Sequence, residues 1–215
     1  MENKKFSPTQ IIIIIGLIGL AFYLGFSGVG NSKKELVEDQ SVEQPKENLV
    51  GMEAARKVAS EMGINIDEFN SCVEDPAIAQ KVKDQEELGS KAGVTGTPGS
   101  FVYDTVTKKA IELGGAAPLD TIKSKLADLK AGKGVDIDIA PINEEDFVKG
   151  NSEARYVVME WSDYECPYCG RFQESVNQLV EQDTDVKWVY RQFPLDGLHP
   201  NTRQKSIAAL CVGKI

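Results

Sequence analysis

Cys166-Pro167-Tyr168-Cys169 sets two thiols one helical turn apart. Such a pair closes a small disulfide or supplies half of a metal site, and its surroundings separate the two. The apolar run Tyr156-Val157-Val158-Met159-Glu160-Trp161 comes before it and a helical pattern comes after. A strand running into Cys-x-x-Cys at a helix start suits thiol–disulfide exchange. There the helix dipole and the free N–H groups of the first turn favour a thiolate, lowering a cysteine pKa from about 8.5 towards 3.5–7.5. Cys166 is the candidate nucleophile and Cys169 the candidate resolving thiol, with Pro167 and Tyr168 tuning the pair. A structural zinc site would need four ligands. Cys72, Cys211 and the single histidine, His199, are the remaining donors of that kind, and none has a short-spaced partner.

Other residues qualify by position. Glu160 lies six residues before Cys166 in an otherwise apolar strand. Buried there, it would titrate high and could exchange a proton with a thiol; facing outward, it would be an ordinary strand residue. Asp163 and Glu165 read as surface charges that slightly oppose thiolate formation. Thr97-Pro98 ends a Gly-rich loop just before the apolar segment Ser100-Phe101-Val102-Tyr103. His199 reads as a residue that helps cap or orient the last helix.

The 215 residues, 41% of them hydrophobic, suffice for one domain with extras. A net charge of −9 argues against a nucleic-acid partner, whose phosphates call for a basic face. Four cysteines suit an oxidising compartment better than a disulfide-scaffolded mini-protein. Residues 1–30 read as a membrane anchor. No charge occurs from Phe6 to Ser32, and the apolar centre from Ile11 to Phe26, extended to Gly30, approaches the roughly 20 residues that span a bilayer. A cleaved signal peptide is the rival, although its apolar core would be long and its cleavage site poor. Lys4 and Lys5 favour a cytoplasmic N-terminus, leaving the rest extracytoplasmic. Residues 31–48 are a polar tether.

Helical spacing predicts a helix over Met52–Met62, a second capped by Asp67, and a third from about Pro76 to Leu88. A hairpin comes next, with strands at Ser100–Tyr103 and Lys109–Leu113, and then a helix over Leu119–Leu129. Residues 132–147 read as a linker. Strand, Cys-x-x-Cys helix, strand (Val186–Phe193) and a helix from about Pro200 to Val212 complete the chain.

The segment Glu160-Trp161-Ser162-Asp163-Tyr164-Glu165-Cys166-Pro167-Tyr168-Cys169, with the lead-in Val148–Ala154, resembles the active-site region of DsbA-like thiol–disulfide oxidoreductases. Phe193-Pro194-Leu195, His199-Pro200 and Ala208-Ala209-Leu210-Cys211 resemble the segment after the second strand in that family. Gly63–Cys72 and Gly93–Pro98 are similar to the family's later half. The resemblance implies an α/β, thioredoxin-like fold with a helical insertion, here preceded by one N-terminal transmembrane helix. It implies that Thr97 and Pro98, with a cis bond between them, face the dithiol and bind substrate together with Pro167 and Tyr168. It also implies a structural disulfide between Cys72 and Cys211, which otherwise read as small buried hydrophobes.

The order of the halves is reversed relative to the family. Residues 49–131 match the later half and 148–215 the earlier one, so the chain is a circular permutant, a piece of a tandem protein, or one member of a swapped oligomer. The expectation is a single-pass, membrane-anchored oxidoreductase on the extracytoplasmic side, with catalytic residues Cys166, Cys169 and Glu160. It would need no cofactor beyond the redox-active disulfide and no metal. Its partners would be cysteine-containing protein clients and a membrane redox partner. Reductase or isomerase activity, a zinc-binding or non-catalytic anchored module, and an incomplete domain fragment are the alternatives.

Overall fold

Tyr156-Val157-Val158-Met159-Glu160-Trp161-Ser162 is rich in β-branched and aromatic side chains, which favour a strand packed on both faces. In the computed structural model, which describes residues 51–215, it is the strand nearest the dithiol in a six-stranded sheet. The anchor expected over 1–30 and the tether over 31–48 lie outside the described residues. Among the described residues, no helix is long and apolar enough to cross a membrane.

The elements in chain order are α1 (Gly51–Glu61), α2 (Ile66–Glu74), α3 (Pro76–Lys91), β1 (Gly99–Asp104), β2 (Lys109–Glu112), α4 (Leu119–Lys130), β3 (Val135–Asp136), β4 (Phe147–Gly150), β5 (Tyr156–Ser162), α5 (Pro167–Gln182), β6 (Val186–Gln192) and α6 (Thr202–Lys214). The sheet order is β3-β2-β1-β5-β6-β4. β5 and β6 are parallel, while β1–β2, β2–β3, β4–β6 and the junction β1–β5 are antiparallel. That junction joins the two halves of the chain, pairing Gly99 with Trp161 and Asp104 with Tyr156 at its ends.

Alternation along the strands sends side chains to two cores. Val102, Val158, Trp188 and Tyr190 pack against Ile122, Leu126 and Leu129 of α4 and Phe172, Val176 and Leu179 of α5. Phe101, Val157, Met159, Trp161 and Val189 form the opposite layer with Ala92, Val94 and Phe193. α3 crosses this layer closely at Gly89. A Cβ there would stand 2.6 Å from the Trp161 ring, so only glycine fits without displacing the indole. The Trp161 indole N–H donates to the Gln85 carbonyl at 2.8 Å, fixing the same crossing. A third core joins α1, α2 and α3 from the first half to α6 from the second, through Ala59, Phe69, Ile78, Val82, Ala208 and Leu210. Cys72 and Cys211 are disulfide-bonded within it, across a sequence separation of 139.

Two local expectations need correcting. Asn65, not Asp67, caps α2: its side-chain oxygen accepts from the N–H groups of Asp67 and Glu68 at 3.0 and 3.2 Å. Asp67 sits inside the first turn. The segment 132–147 does more than link. Val135 and Asp136 add the edge strand β3, and the fully buried Arg191 grips Asp146 through two bonds of 2.8 Å. Arg191 also donates to the carbonyls of Ala140 and Pro141 at 3.2 and 2.9 Å. A buried guanidinium needs such saturation, because an unpaired charge in that position is costly.

The cross-link between halves yields a stability prediction. In the chain-entropy picture, closing a long loop stabilises a fold by up to about 5 kcal/mol, and native disulfides typically give about 2–5 kcal/mol. The full chain carrying Cys72→Ala and Cys211→Ala, unfolded by guanidinium in detergent micelles, should lose stability in that range. A loss below about 1 kcal/mol would mean that sheet pairing and packing already hold the halves.

Candidate active site

β5 ends at Ser162, and the turn after it delivers Cys166 to the N-cap of α5, with Pro167 in the first helical positions. Proline suits that place because its missing N–H would have no partner there in any case. Cys169 lies one turn in, and both thiols are free and buried. The β1–β5 register sets the opposing wall. Since Gly99 pairs with Trp161, the preceding Thr97-Pro98 reaches past the end of β5 towards the Cys166 turn. The Thr97–Pro98 peptide is cis, and the Cys166 sulfur stands 3.4 Å from the Thr97 carbonyl oxygen. Pro98 is buried, while Pro167 and Tyr168 are exposed, the Tyr168 ring stacking under Arg171 at 4.5 Å.

The two thiols are driven apart electrostatically. Hydrogen bonding from Cys169 holds the Cys166 pKa well below the ordinary thiol range. Partial burial opposes this, and Thr97 with the N–H groups of Cys169 and Tyr168 reinforces it. The same bond, burial and the nearby Glu160 charge keep the proton on Cys169. Cys166 is therefore the thiolate and Cys169 the thiol.

Glu160 points inward, on the α5 face of β5 with Val158 and Ser162. It is 1% exposed, and burial raises its pKa to about 8 against the opposing hydrogen bonds of Ser162 and Trp188. The Trp188 indole N–H donates to its Oε2 at 2.9 Å. A carboxyl of this kind can take up or release a proton near neutral pH.

Asp163 and Glu165 are not the surface charges their residue types suggest. Asp163 is buried and accepts from the Glu165 N–H at 2.7 Å, the Leu195 N–H at 2.8 Å and the Thr202 hydroxyl at 2.6 Å. His199 Nδ1 stands 2.9 Å from the same carboxylate. Glu165 is held by Lys205 at 2.9 Å and accepts from the Asn201 N–H at 2.9 Å. These carboxylates fasten the dithiol turn to the 193–201 loop and to the start of α6. His199 thus ties that loop to the turn, and Asn201 occupies the α6 N-cap. Apart from the Glu165 N–H, the partners lie more than 30 residues away along the chain, and no local pattern announces them. Ser162 and Tyr190 also join the site without having been expected there. Period-2 counting from Glu160 would have put Ser162 on the same face.

A family model described as a DSBA-like thioredoxin domain matches residues 43–127, and another described as thioredoxin matches residues 142–214. Among curated proteins, the Na(+)/H(+) antiporter NhaA 3 of Salinispora tropica is 36% identical over 95 residues, covering 44% of this chain and 15% of the relative. NhaA 1 of Salinispora arenicola is 33% identical over 99 residues, covering 46% and 15%. NhaA 1 of Mycobacterium sp. strain KMS is 35% identical over 66 residues, covering 30% and 11%. The matched part thus spans about one seventh of the length of the first two relatives. The two family matches fall on the two walls of one site, the Thr97-Pro98 loop and the Cys166–Cys169 helix, and the chain belongs to the DsbA-like family of the thioredoxin superfamily.

Proposed function

We propose that this chain is a membrane-anchored, extracytoplasmic oxidoreductase that exchanges its Cys166–Cys169 disulfide with the thiols of protein clients, in the direction of client oxidation. The observation that carries the reading is the unequal dithiol beside Thr97-Pro98: a Cys166 poised as thiolate, against a Cys169 that keeps its proton. A client thiolate attacks Cys166 Sγ of the disulfide, the Cys166–Cys169 bond breaks, and Cys169 leaves with the electron pair and takes up a proton. A second client thiolate then attacks the client sulfur of the mixed disulfide. The client leaves oxidised, and Cys166 leaves as thiolate.

The low Cys166 pKa supports this direction, because a stabilised thiolate makes the reduced form the favoured product. Thr97 and Pro98, with Pro167 and exposed Tyr168, supply the surface on which an extended client backbone would pair. Glu160 serves the proton exchange at Cys169. The apolar segment within residues 1–30 supports a single-pass anchor, and a membrane redox partner would reoxidise the dithiol. The short overlap with the antiporter relatives gives no reason to assign ion transport to this chain.

An equilibrium redox titration of the full chain in glutathione buffers, followed by tryptophan fluorescence, tests the proposal. One two-electron transition that Cys166→Ser abolishes is expected. A midpoint nearer about −120 mV than about −270 mV marks an oxidant, and the reverse marks a reductase. The absence of any transition would overturn the reading.

The thiolate also sets a pH dependence. Alkylation of reduced Cys166 should show a midpoint below pH 7, against about 8.5 for a free cysteine. Its folded pKa is depressed, so the stabilisation it gives the reduced protein is complete above the unfolded pKa and is lost as pH falls through the folded one. The oxidised protein lacks that group. The stability of the reduced form relative to the oxidised form should therefore fall on acidification across this window, as measured by denaturant unfolding of both forms.

A further inference from the structure

Asp163 stands three residues before Cys166, in a turn that the Cys166 N–H closes on the Asp163 carbonyl at 3.2 Å. Both oxygens of its carboxylate are filled. One accepts from the Glu165 N–H at 2.7 Å and the Thr202 hydroxyl at 2.6 Å, the other from the Leu195 N–H at 2.8 Å. His199 Nδ1 is the fourth neighbour, 2.9 Å from that second oxygen. An ionised carboxylate only accepts, so Nδ1 carries a hydrogen and the neutral ring keeps its lone pair at Nε2. The Asp163 side chain is fully buried and that of His199 is 21% exposed, so solvent protons reach the ring and not the carboxylate.

The other charges around the turn have their own partners. Glu165, next to Cys166, is held by Lys205 of α6 at 2.9 Å. Asp196 of the loop and Glu86 of α3 share Arg203 of α6, Glu86 at 3.0 Å. Glu160 and Cys169, the remaining titratable groups beside Cys166, are buried. Three of the four donors on Asp163 are neutral, and His199 alone among them can become a cation. It is the single histidine of the chain, and histidine changes charge between about pH 5 and 8.

We propose that His199 couples the dithiol to pH: protonated against Asp163, it favours the Cys166 thiolate and makes the Cys166–Cys169 disulfide a stronger oxidant. This rests on the exchange reading under Proposed function. His199 acts through Asp163 and is a positioning residue. Two glutathione molecules reduce the disulfide to a Cys166 thiolate and a Cys169 thiol, forming glutathione disulfide and releasing one proton. The ends of such a turn lie within about 7 Å of each other, which puts the ring on the order of 10 Å from the Cys166 sulfur. At that range one added positive charge in a partly exposed site shifts an equilibrium about threefold to tenfold. The coupling is reciprocal, so the thiolate favours the imidazolium by the same factor. Part of the proton released on reduction is then taken up by His199 wherever the ring titrates.

The test compares the full chain in detergent micelles with its His199→Asn variant, whose amide N–H can replace Nδ1–H on Asp163 without ever taking a charge. Both are equilibrated with reduced and oxidised glutathione from pH 5.5 to 8 and read by tryptophan fluorescence. The wild-type constant for reduction of the disulfide should exceed the variant's about threefold or more at pH 5.5, and the two should converge by pH 8. A merely structural role would separate them by one factor at every pH, and that result would overturn the proposal. A second measurement needs no variant. The ring resonances of the single histidine, followed by NMR from pH 5 to 8, should titrate at higher pH in the reduced wild-type chain than in the oxidised one. Coincident titrations would also overturn the proposal. A wild-type chain with no transition in glutathione would overturn the exchange reading itself, and this inference with it.

Discussion

The register of β1 against β5 is the constraint on which the site depends. These strands come from different halves of the chain, and their pairing runs from Gly99–Trp161 to Asp104–Tyr156. Thr97 stands two residues before the first pair and Cys166 five residues after it, so one register places the cis-proline loop against the thiol. A slip of one residue would turn every side chain of a strand to the opposite face. Glu160 and Ser162 would then leave the α5 layer for the layer of Trp161, and Thr97 would lose Cys166. That register is held by packing on both sides, with Val102 and Val158 in one core and Phe101, Met159 and Trp161 in the other.

Around that junction the protein buries polar chemistry and satisfies it in two different ways. Asp163 receives donors from a backbone N–H nearby and from three groups on the 193–202 segment, so its cost is met by structure and its product is rigidity. Arg191 with Asp146 does the same beside the Trp161 ring. Glu160 is met differently: the Trp188 indole N–H holds one carboxyl oxygen, and burial keeps the pKa high enough to exchange a proton near neutral pH. In a low-dielectric setting each such hydrogen bond is strengthened, and an unmatched one is expensive. The rigid carboxylates fix where the turn lies, and the buried Glu160 is left to exchange protons beside Cys169.

Much of this is legible in the sequence where it depends on local pattern. Strand β5 announces itself by Tyr156–Trp161, and α5 by the phase of Phe172, Val176 and Leu179 after Cys166-Pro167. The family matches on each half show the thioredoxin-like class that the motifs imply. What escapes is set by distance along the chain. The burial of Asp163 depends on Leu195, His199 and Thr202, and that of Arg191 on Asp146, each pair more than 30 residues apart. Strand β3 is too short to carry a period. Asn65 and Asp67 are both good capping types, and the choice between them rests on which one precedes the first turn. Residues 1–30, where an anchor is expected, stand outside the described structure.

The same junction governs how the two reversed halves find each other. β1 and β5 are neighbours in the middle of the sheet, so either half alone would present an unpaired strand edge lined with Val, Phe, Met and Trp, an aggregation hazard. The halves therefore need one another, and the question is which copy supplies the partner. Residues 131–146 join α4 to β4 and are themselves fastened by β3 and by Arg191. A connection of this length holds the tethered half at an effective concentration of about millimolar. Exchange between chains must compete with that local partner at ordinary protein concentration, and the Cys72–Cys211 bond closes the same chain a second time. Assembly within one chain is thus favoured by the connection itself, before any difference in packing is counted.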